Sequence, residues 1–341
     1  TPGVMLSSAA KEYIKVYGVL VGKKPLIFTN NDSGYETAIE FKKNGVNPLI
    51  LDTRKEPSSD IITEAKNLGI EIKYSYVVVA AKGYKKVKSA DIAKISDNKK
   101  DLSNIENIEC DCICVSGFWT PSIHLASQSG NKSEFNEKID AFIPKKSKQK
   151  ENTIGSANGK FTLEETINEA FNKGYEVSNQ ITENNNKVSI QTVVEKKSTE
   201  HDKFWCVPLP KGKSYKRFLD FQNDVAVTDI ELALREGFRS IEHVKRYTTL
   251  GMATDQGKTS NLNGLQLVSD IENKVVPQFG HTTFRPPYTP VSIGAIVGRE
   301  VGKHSKPTRK SPMHEWHEKN NAVFVDAGVW LRPRYYKQGN E

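Results

Sequence analysis

PLIFTNNDSGYETAIEFKKNGVNPLILDTR, residues 25–54, decides the fold of this chain. It reads as a short apolar strand, a polar turn, an amphipathic helix and a second apolar strand that ends at Asp52. That order is a βαβ unit, the elementary piece of a doubly wound parallel sheet. The turn runs Thr29-Asn30-Asn31-Asp32-Ser33-Gly34. A dinucleotide-binding turn uses several glycines, so that backbone amides approach a pyrophosphate at the helix N-terminus. Here Gly34 alone stands where three glycines are expected, and Cβ atoms and the Asp32 carboxylate crowd the place of the anion. Asp52 keeps the position from which an acid binds a ribose. Two readings stay open: a nucleotide site formed by Asn30, Asn31, Asp32, Ser33, Gly34 and Asp52, or a turn retained for the fold alone.

Working outward, SSAAKEYIKVYG predicts a helix before the unit. After it, DIITEAKNLGIEIKYSYVVVAAKG adds a helix and a β stretch, and KKVKSADIAKI and IECDCICVSGFW continue the β pattern. Side chains at i, i+2 and i+4 of a strand share one face, about 6.5–7 Å apart. That is too far for the three cysteines to converge on one zinc, so the run reads as packing of a buried strand. Residues 145–150 are a charged loop, and NTIGSANGKFTLEETINEAFNKG, residues 152–174, reads as strand, glycine-rich turn and helix. Gly155, Ser156 and Ala157 form that turn, and a helix beginning near Thr162 offers free amides to an anion. An ordinary strand–helix junction carries the same sequence.

From about residue 178 to 215 the chain turns polar and reads as a linker. FQNDVAVTDIELALREGFRSIEHVKRYTTLGMATDQGKTSN, residues 221–261, then has apolar residues at helical spacing. Thr228 is the expected N-cap, and Gly237 and Gly251 are the expected stops. HTTFRPPYTPVSIGA is proline-rich and expected to be extended. The last thirty residues open another unit, in which His314 and His317 are two possible metal ligands without a third.

With 341 residues, 37% of them apolar, the chain has material for two or three domains. No stretch approaches the roughly 18–20 apolar residues of a membrane span, and no secretory leader is visible, so no membrane partner is expected. TPGVML reads as the middle of a motif, which makes an internal piece of a longer protein the expectation. Four cysteines suggest no disulfide framework and a cytoplasmic location. The net charge of +8 raises nucleic acid as a partner. However, the lysines are spread among asparagines, with no basic recognition helix, and no nucleic-acid partner is expected.

The order of these pieces resembles the flavin- and pyridine-nucleotide-dependent disulfide reductases. PGVMLSSAAKEYI is similar to the crossover into their second dinucleotide unit, about residues 22–120. CVSGFWTPSIHL is similar to the exit strand, and IGSANGKFTLEETINEAFNKG to the piece, about 121–177, that completes the first unit. In flavin-binding relatives the completing turn reads Gly-Asp; Gly155-Ser156 departs from this and weakens an FAD site here. Residues 216–275 resemble the ferredoxin-like module that holds a 2Fe–2S cluster, with Asp220, Gln222, Asp255 and Ser260 at the cysteine positions. Clusters need thiolates, so the resemblance implies a frame without an iron–sulfur cluster. After a connector at 276–310, SPMHEWHEKNNAVFVDAGVWLRPRYY, within 311–341, resembles the start of the folate-binding aminomethyltransferase fold.

Together these modules resemble the alpha subunits of heterotetrameric sarcosine oxidases. The resemblance implies an α/β, disulfide-reductase-like fold over residues 1–177, followed by the helical module and the aminomethyltransferase-like start. It implies a complex with beta, gamma and delta subunits that oxidises sarcosine to glycine, hydrogen peroxide and formaldehyde or methylene-tetrahydrofolate. It places FAD in the beta subunit, FMN at the alpha–beta interface, NAD in this subunit and tetrahydrofolate beyond residue 341. No catalytic residue of sarcosine oxidation is then expected here. The implied NAD contacts are Gly155, Ser156, Ala157, Phe161 and Leu163, with the turn at residues 30–34 and Asp52 as second choice. Arg285, on the rigid proline-rich loop, reads either as a guanidinium presented to the FMN phosphate or as an anchor of the loop itself. The alternatives are the alpha subunit of an opine- or proline-type amine dehydrogenase, or a scaffold that only joins partner subunits.

Overall fold

The computed structural model describes residues 2–147, 149–182, 200–298, 302 and 307–339. β1 (Val4–Leu6) leads into α1 (Ser7–Tyr17), which stops at Gly18 in the left-handed conformation that only glycine adopts at no cost. The deciding stretch folds as read: β2 (Pro25–Thr29), α2 (Ser33–Lys43) and β3 (Leu49–Asp52), continued by α3 (Asp60–Asn67) and β4 (Glu71–Tyr74). Ser75, at φ 58°, then breaks one apolar run into two strands. β5 (Tyr76–Lys82) leaves the parallel sheet and pairs antiparallel with β6 (Ser89–Lys94), which pairs with β7 (Glu106–Glu109). β8 (Cys112–Ser116) returns between β1 and β2, giving a parallel sheet of order β1-β8-β2-β3-β4.

Both faces of this sheet are buried, as a parallel sheet requires. Ile27, Ile50, Cys112 and Cys114 face the helices with Tyr35, Phe41 and Ile62. Leu26, Leu51 and Ile113, one step out of phase, face the three-stranded sheet with Val87 and Ile92. The three nearby cysteines do not share one face: Cys110 lies before β8 begins and packs in the second cluster. The Cys112 and Cys114 sulfurs lean to 3.5 Å, closer than the strand repeat suggests. All three are buried free thiols, and burial pushes Cys110 up to about 11.

Beyond β8 come α4 (His124–Gln128) and a hairpin of β9 (Ser133–Asn136) and β10 (Ala141–Pro144). The strand expected at residues 152–154 is absent, because nothing among the described residues pairs with it. A 3-10 turn at Gly155–Asn158 and α5 (Leu163–Thr182) follow, and α5 buries none of its residues. Residues 183–199 of the expected linker lie outside the described residues.

β11 (Phe218–Asp220), β12 (Val225–Ala226), α6 (Val227–Arg235), α7 (Ile241–Thr248) and α8 (Asn261–Glu272) form the helical module. Its core, including Ile230, Leu234, Ile241, Leu250 and Leu265, also receives Phe135 and Phe142 from the β9–β10 hairpin. The expected cap is displaced: α6 begins one residue before Thr228, and Asp229 accepts from the Ala226 amide at 2.8 Å. Gly237 follows α6 at φ 95°, whereas α7 ends at left-handed Thr249, two residues before Gly251.

Residues 1–288 form one compact unit and residues 289–341 another. The second holds α9 (Ile293–Val297), β13 (Arg309–Lys310), α10 (His314–Lys319), β14 (Ala322–Ala327) and β15 (Trp330–Tyr336), its sheet ordered β13-β15-β14. Among the described residues no helix is long and apolar enough to cross a membrane.

Candidate functional site

The turn at residues 30–34 joins β2 to α2 as expected, but its polar groups are met within the chain. Asn31 Oδ1 accepts from the Ser33 amide at 2.8 Å and from Ser33 Oγ at 2.6 Å. A side-chain carbonyl thus takes a donor at the start of α2 that an anion would use. Gly34 is needed for contact rather than for phosphate: a Cβ there would lie 2.6 Å from Thr29 Cβ. Asp52 is fully buried, accepting from Tyr35 Oη at 2.7 Å and from Arg54 Nη2 at 2.8 Å. Arg54 Nη1 reaches back to Asp32 Oδ1 at 2.8 Å. Burial, and then the Asp52 charge, push the Tyr35 phenol far above its usual range. Burial opposes the Arg54 charge, but hydrogen bonds to Asp52 and Asp32 outweigh it and hold the guanidinium protonated.

The same turn is covered by part of the expected linker. His201 bridges to Asn31, the Asp202 amide donates to Asn30 O at 2.9 Å, and Asn30 Nδ2 donates to Asp202 O at 2.9 Å. Thr53 Oγ1 and Lys99 Nζ hold the Asp202 carboxylate. His201 stacks on Phe118 at 4.4 Å and lies 3.1 Å from Asp140 Oδ2. The structure therefore brings Asn30, Asn31, Asp32, Ser33, Gly34 and Asp52 together, yet closes them under residues 201–202. Of the two readings of this turn, the fold-retaining one fits these contacts: an incoming ribose would have to displace Arg54 and Tyr35 from Asp52.

The completing turn is more open. Gly155, at φ 67°, packs against Thr166, where a Cβ would fall 2.9 Å from Cγ2. Ser156 and Leu163 are exposed, and Ala157 and Phe161 are half-buried. At this helix start two backbone amides already have acceptors within the chain. Thr162 Oγ1 accepts from the Glu165 amide at 3.2 Å, and Glu169 accepts from the Gly155 amide at 2.6 Å and from Asn158 Nδ2 at 2.7 Å. The Glu169 carboxylate at this turn disfavours a pyrophosphate there.

In the ferredoxin-like frame the two halves meet. Asp220, almost fully buried, accepts from the amides of Gln222 at 2.9 Å, Asn223 at 3.2 Å and, across the fold, Gly251 at 2.8 Å. Thr254 Oγ1 donates to Gln222 Oε1 at 3.2 Å. Asp255 Oδ1 accepts from the Gly257 amide at 3.1 Å, and Ser260 is fully buried at the start of α8. Asp220 and Gln222 thus tie the two loops together by hydrogen bonds, whereas the Asp255 bond is local and the buried Ser260 Oγ has no hydrogen-bond partner among the described residues. No group of three or more His, Cys, Asp or Glu among the described residues is placed to hold a metal. His314 packs on Phe324 and His317 contacts Tyr336 Oη at 2.5 Å, so the two histidines have separate partners.

The proline-rich segment docks on this frame. Tyr288 stacks on His124 at 3.9 Å and lies under Lys258 Nζ at 4.5 Å. Burial, and then Lys258, lower the His124 pKa. A cavity of about 70 Å³ lies here, walled by Phe142, Leu262, Leu265 and Phe284 with Lys258 and Thr282. Arg285 is exposed beside it in sequence. Sequence reasoning missed Asp202, Gln256 and Arg54. Only Arg54, two residues after an acid at the strand tip, carried a local signal; the other two act across more than 25 residues.

Residues 214–299 match the family described as the sarcosine oxidase A3 domain. The sarcosine oxidase subunit alpha of Rhizobium meliloti is 35% identical over 342 residues, covering 100% of this chain and 33% of that protein. That of Corynebacterium sp. strain U-96 is 32% identical, covering 100% of this chain and 36% of that protein. The chain thus spans about a third of the length of the curated relatives it matches. In fold it is similar to L-proline dehydrogenase from P. horikoshii, with a TM-score of 0.50 at 19% identity, over 88% of this chain and 55% of that one. Along its full length the chain is similar to part of these sarcosine oxidase alpha subunits, the similarity that its motifs led us to expect.

Proposed function

We propose that this relative of sarcosine oxidase alpha subunits is the nucleotide-binding, flavin-facing part of an amine-oxidising complex. The complex oxidises sarcosine, giving glycine, hydrogen peroxide and formaldehyde or methylene-tetrahydrofolate. Its beta subunit carries FAD and, at the interface with alpha, FMN; gamma and delta subunits complete it in the cytoplasm. Residues 1–177 form the nucleotide-binding part, 216–275 a structural module without a cluster, and 311–341 the start of the folate-binding part. Similarity along every part of the chain carries this reading.

Bound NAD supplies a hydride acceptor. In this chain Ser156 and Ala157 would hold its ribose, and Phe161 and Leu163 would shield a base from water. The pyrophosphate would be held outside this turn, because Thr162 Oγ1 and the Glu169 carboxylate already accept from the Glu165 and Gly155 amides. The turn at residues 30–34, with Asp52, serves as the socket for residues 201–202. Arg285 would be the residue that meets the FMN phosphate, for which a guanidinium is well matched.

The test is NAD released on denaturing the full-length protein, measured by chromatography. One NAD per chain is expected, and Phe161→Ala should weaken retention about tenfold, the loss of roughly 1.4 kcal/mol of apolar contact. A full-length protein that neither retains nor binds NAD overturns the assignment.

A further inference from the structure

The polar stretch after residue 200 crosses the carboxyl ends of three strands. His201 bridges to Asn31, just past β2, and its ring stacks on Phe118, just past β8. The Asp202 carboxylate accepts from Thr53 Oγ1, just past β3, at 2.9 Å. In open parallel sheets such a crevice receives a ligand. Here the chain supplies its own occupant. Lys99 Nζ adds a charged contact to the Asp202 carboxylate, and the Asp202 N–H and C=O both bond Asn30, at 2.9 Å each.

Two routes lead from this seat to the helical module. Along the chain, Trp205 meets Phe118 edge-on at 4.9 Å, and Cys206 packs against the module core. Arg217 Nη1 donates to Cys206 Sγ at 3.2 Å, and Arg217 O accepts from the Val227 amide, at the start of α6, at 2.9 Å. Across space, His201 Nε2 lies 3.1 Å from Asp140 Oδ2, and Lys203 Nζ donates to Asp140 Oδ1 at 2.7 Å. Asp140 sits in the turn of the β9–β10 hairpin, whose Phe135 and Phe142 enter the same core. Both routes therefore begin at residues 201–203.

We propose that residues 201–206 form a latch: their seat in the crevice and the packing of the helical module stabilise one another, so that loosening either loosens both. Asp202 is the bolt, because its side chain and backbone together hold Asn30, Thr53 and Lys99, three segments far apart in sequence. Coupling of this kind is reciprocal by linkage. It needs no bound nucleotide.

Hydrogen–deuterium exchange on the full-length protein tests this, read at residues 29–33 in the crevice and 227–248 in α6 and α7. Asp202→Ala should speed exchange about tenfold at both places, as a local opening does. Lys99→Ala, which leaves the strap backbone in place, should act in the same direction to a smaller degree. In the other direction Val244→Ala, fully buried in the module core, should speed exchange in the crevice as well. Combining Asp202→Ala with Val244→Ala should leave the crevice no faster than Asp202→Ala alone, since the latch is already open. Exchange in α3, away from the strap, should stay unchanged throughout. Unchanged crevice exchange in Asp202→Ala overturns the latch. Faster exchange in the crevice with none in α6 and α7, or additive crevice effects in the double variant, overturns the coupling. Equal acceleration in α3 means general loosening and overturns both.

Discussion

Arg54 neutralises two carboxylates that water scarcely reaches. Its side chain is 12% exposed, against 0% for Asp52 and 7% for Asp32. Removing one partner of a buried ion pair leaves a charge with no compensation, which typically costs about 3–5 kcal/mol. Arg54→Ala should destabilise the first unit by that amount in urea denaturation, and Arg54→Lys by less. His124 gives a pH-dependent case. Its folded pKa lies below the unfolded value of about 6.5, so the stability it contributes is present above that pH and lost as the pH falls through the folded value. Protonation would add a second cation beside Lys258 on Tyr288. The thermal midpoint should therefore drop from pH 7 toward pH 5, and His124→Asn should flatten that drop. At this scale the sequence was partly misleading: the acid at the tip of β3 was visible, but not the Tyr35 hydroxyl, seventeen residues away, that meets it.

Among the elements, long periodic segments were the legible ones. The βαβ unit and the helices of the module have apolar spacing that survives folding, because each buries a face against a large neighbour. The β9–β10 hairpin was not read, since two four-residue strands with one aromatic pair carry little period of their own. The strand at residues 152–154 was read and did not form, because a strand requires a partner that local sequence does not supply. The helical module closes on Ile230, Leu234, Val244, Leu250 and Val268, all buried. Such a core needs no metal, unlike small domains whose folding energy comes from one. Exhaustive chelation should leave its thermal midpoint unchanged, and elemental analysis should find no stoichiometric iron. A metal-dependent fall in the midpoint would contradict the structure.

Across the molecule, the largest departure from the sequence reading is the course of the chain after residue 200. Polar composition marked this stretch as a linker, yet residues 201–206 lie on the socket of the first unit and against the core of the second module. Backbone hydrogen bonds such as those between Asn30 and Asp202 leave no trace in composition. Together with Phe135 and Phe142 in the core of the helical module, they join the α/β part to that module. The Asp220 carboxylate, with its three amide donors, also has an evolutionary corollary. A cysteine at 220 alone would forfeit charge-assisted bonds of the stronger kind and gain nothing until three further thiolates stood ready to share iron. The carboxylate works as a ratchet against that one exchange, because Asp220→Cys would leave the amides of Gln222, Asn223 and Gly251 without their acceptor.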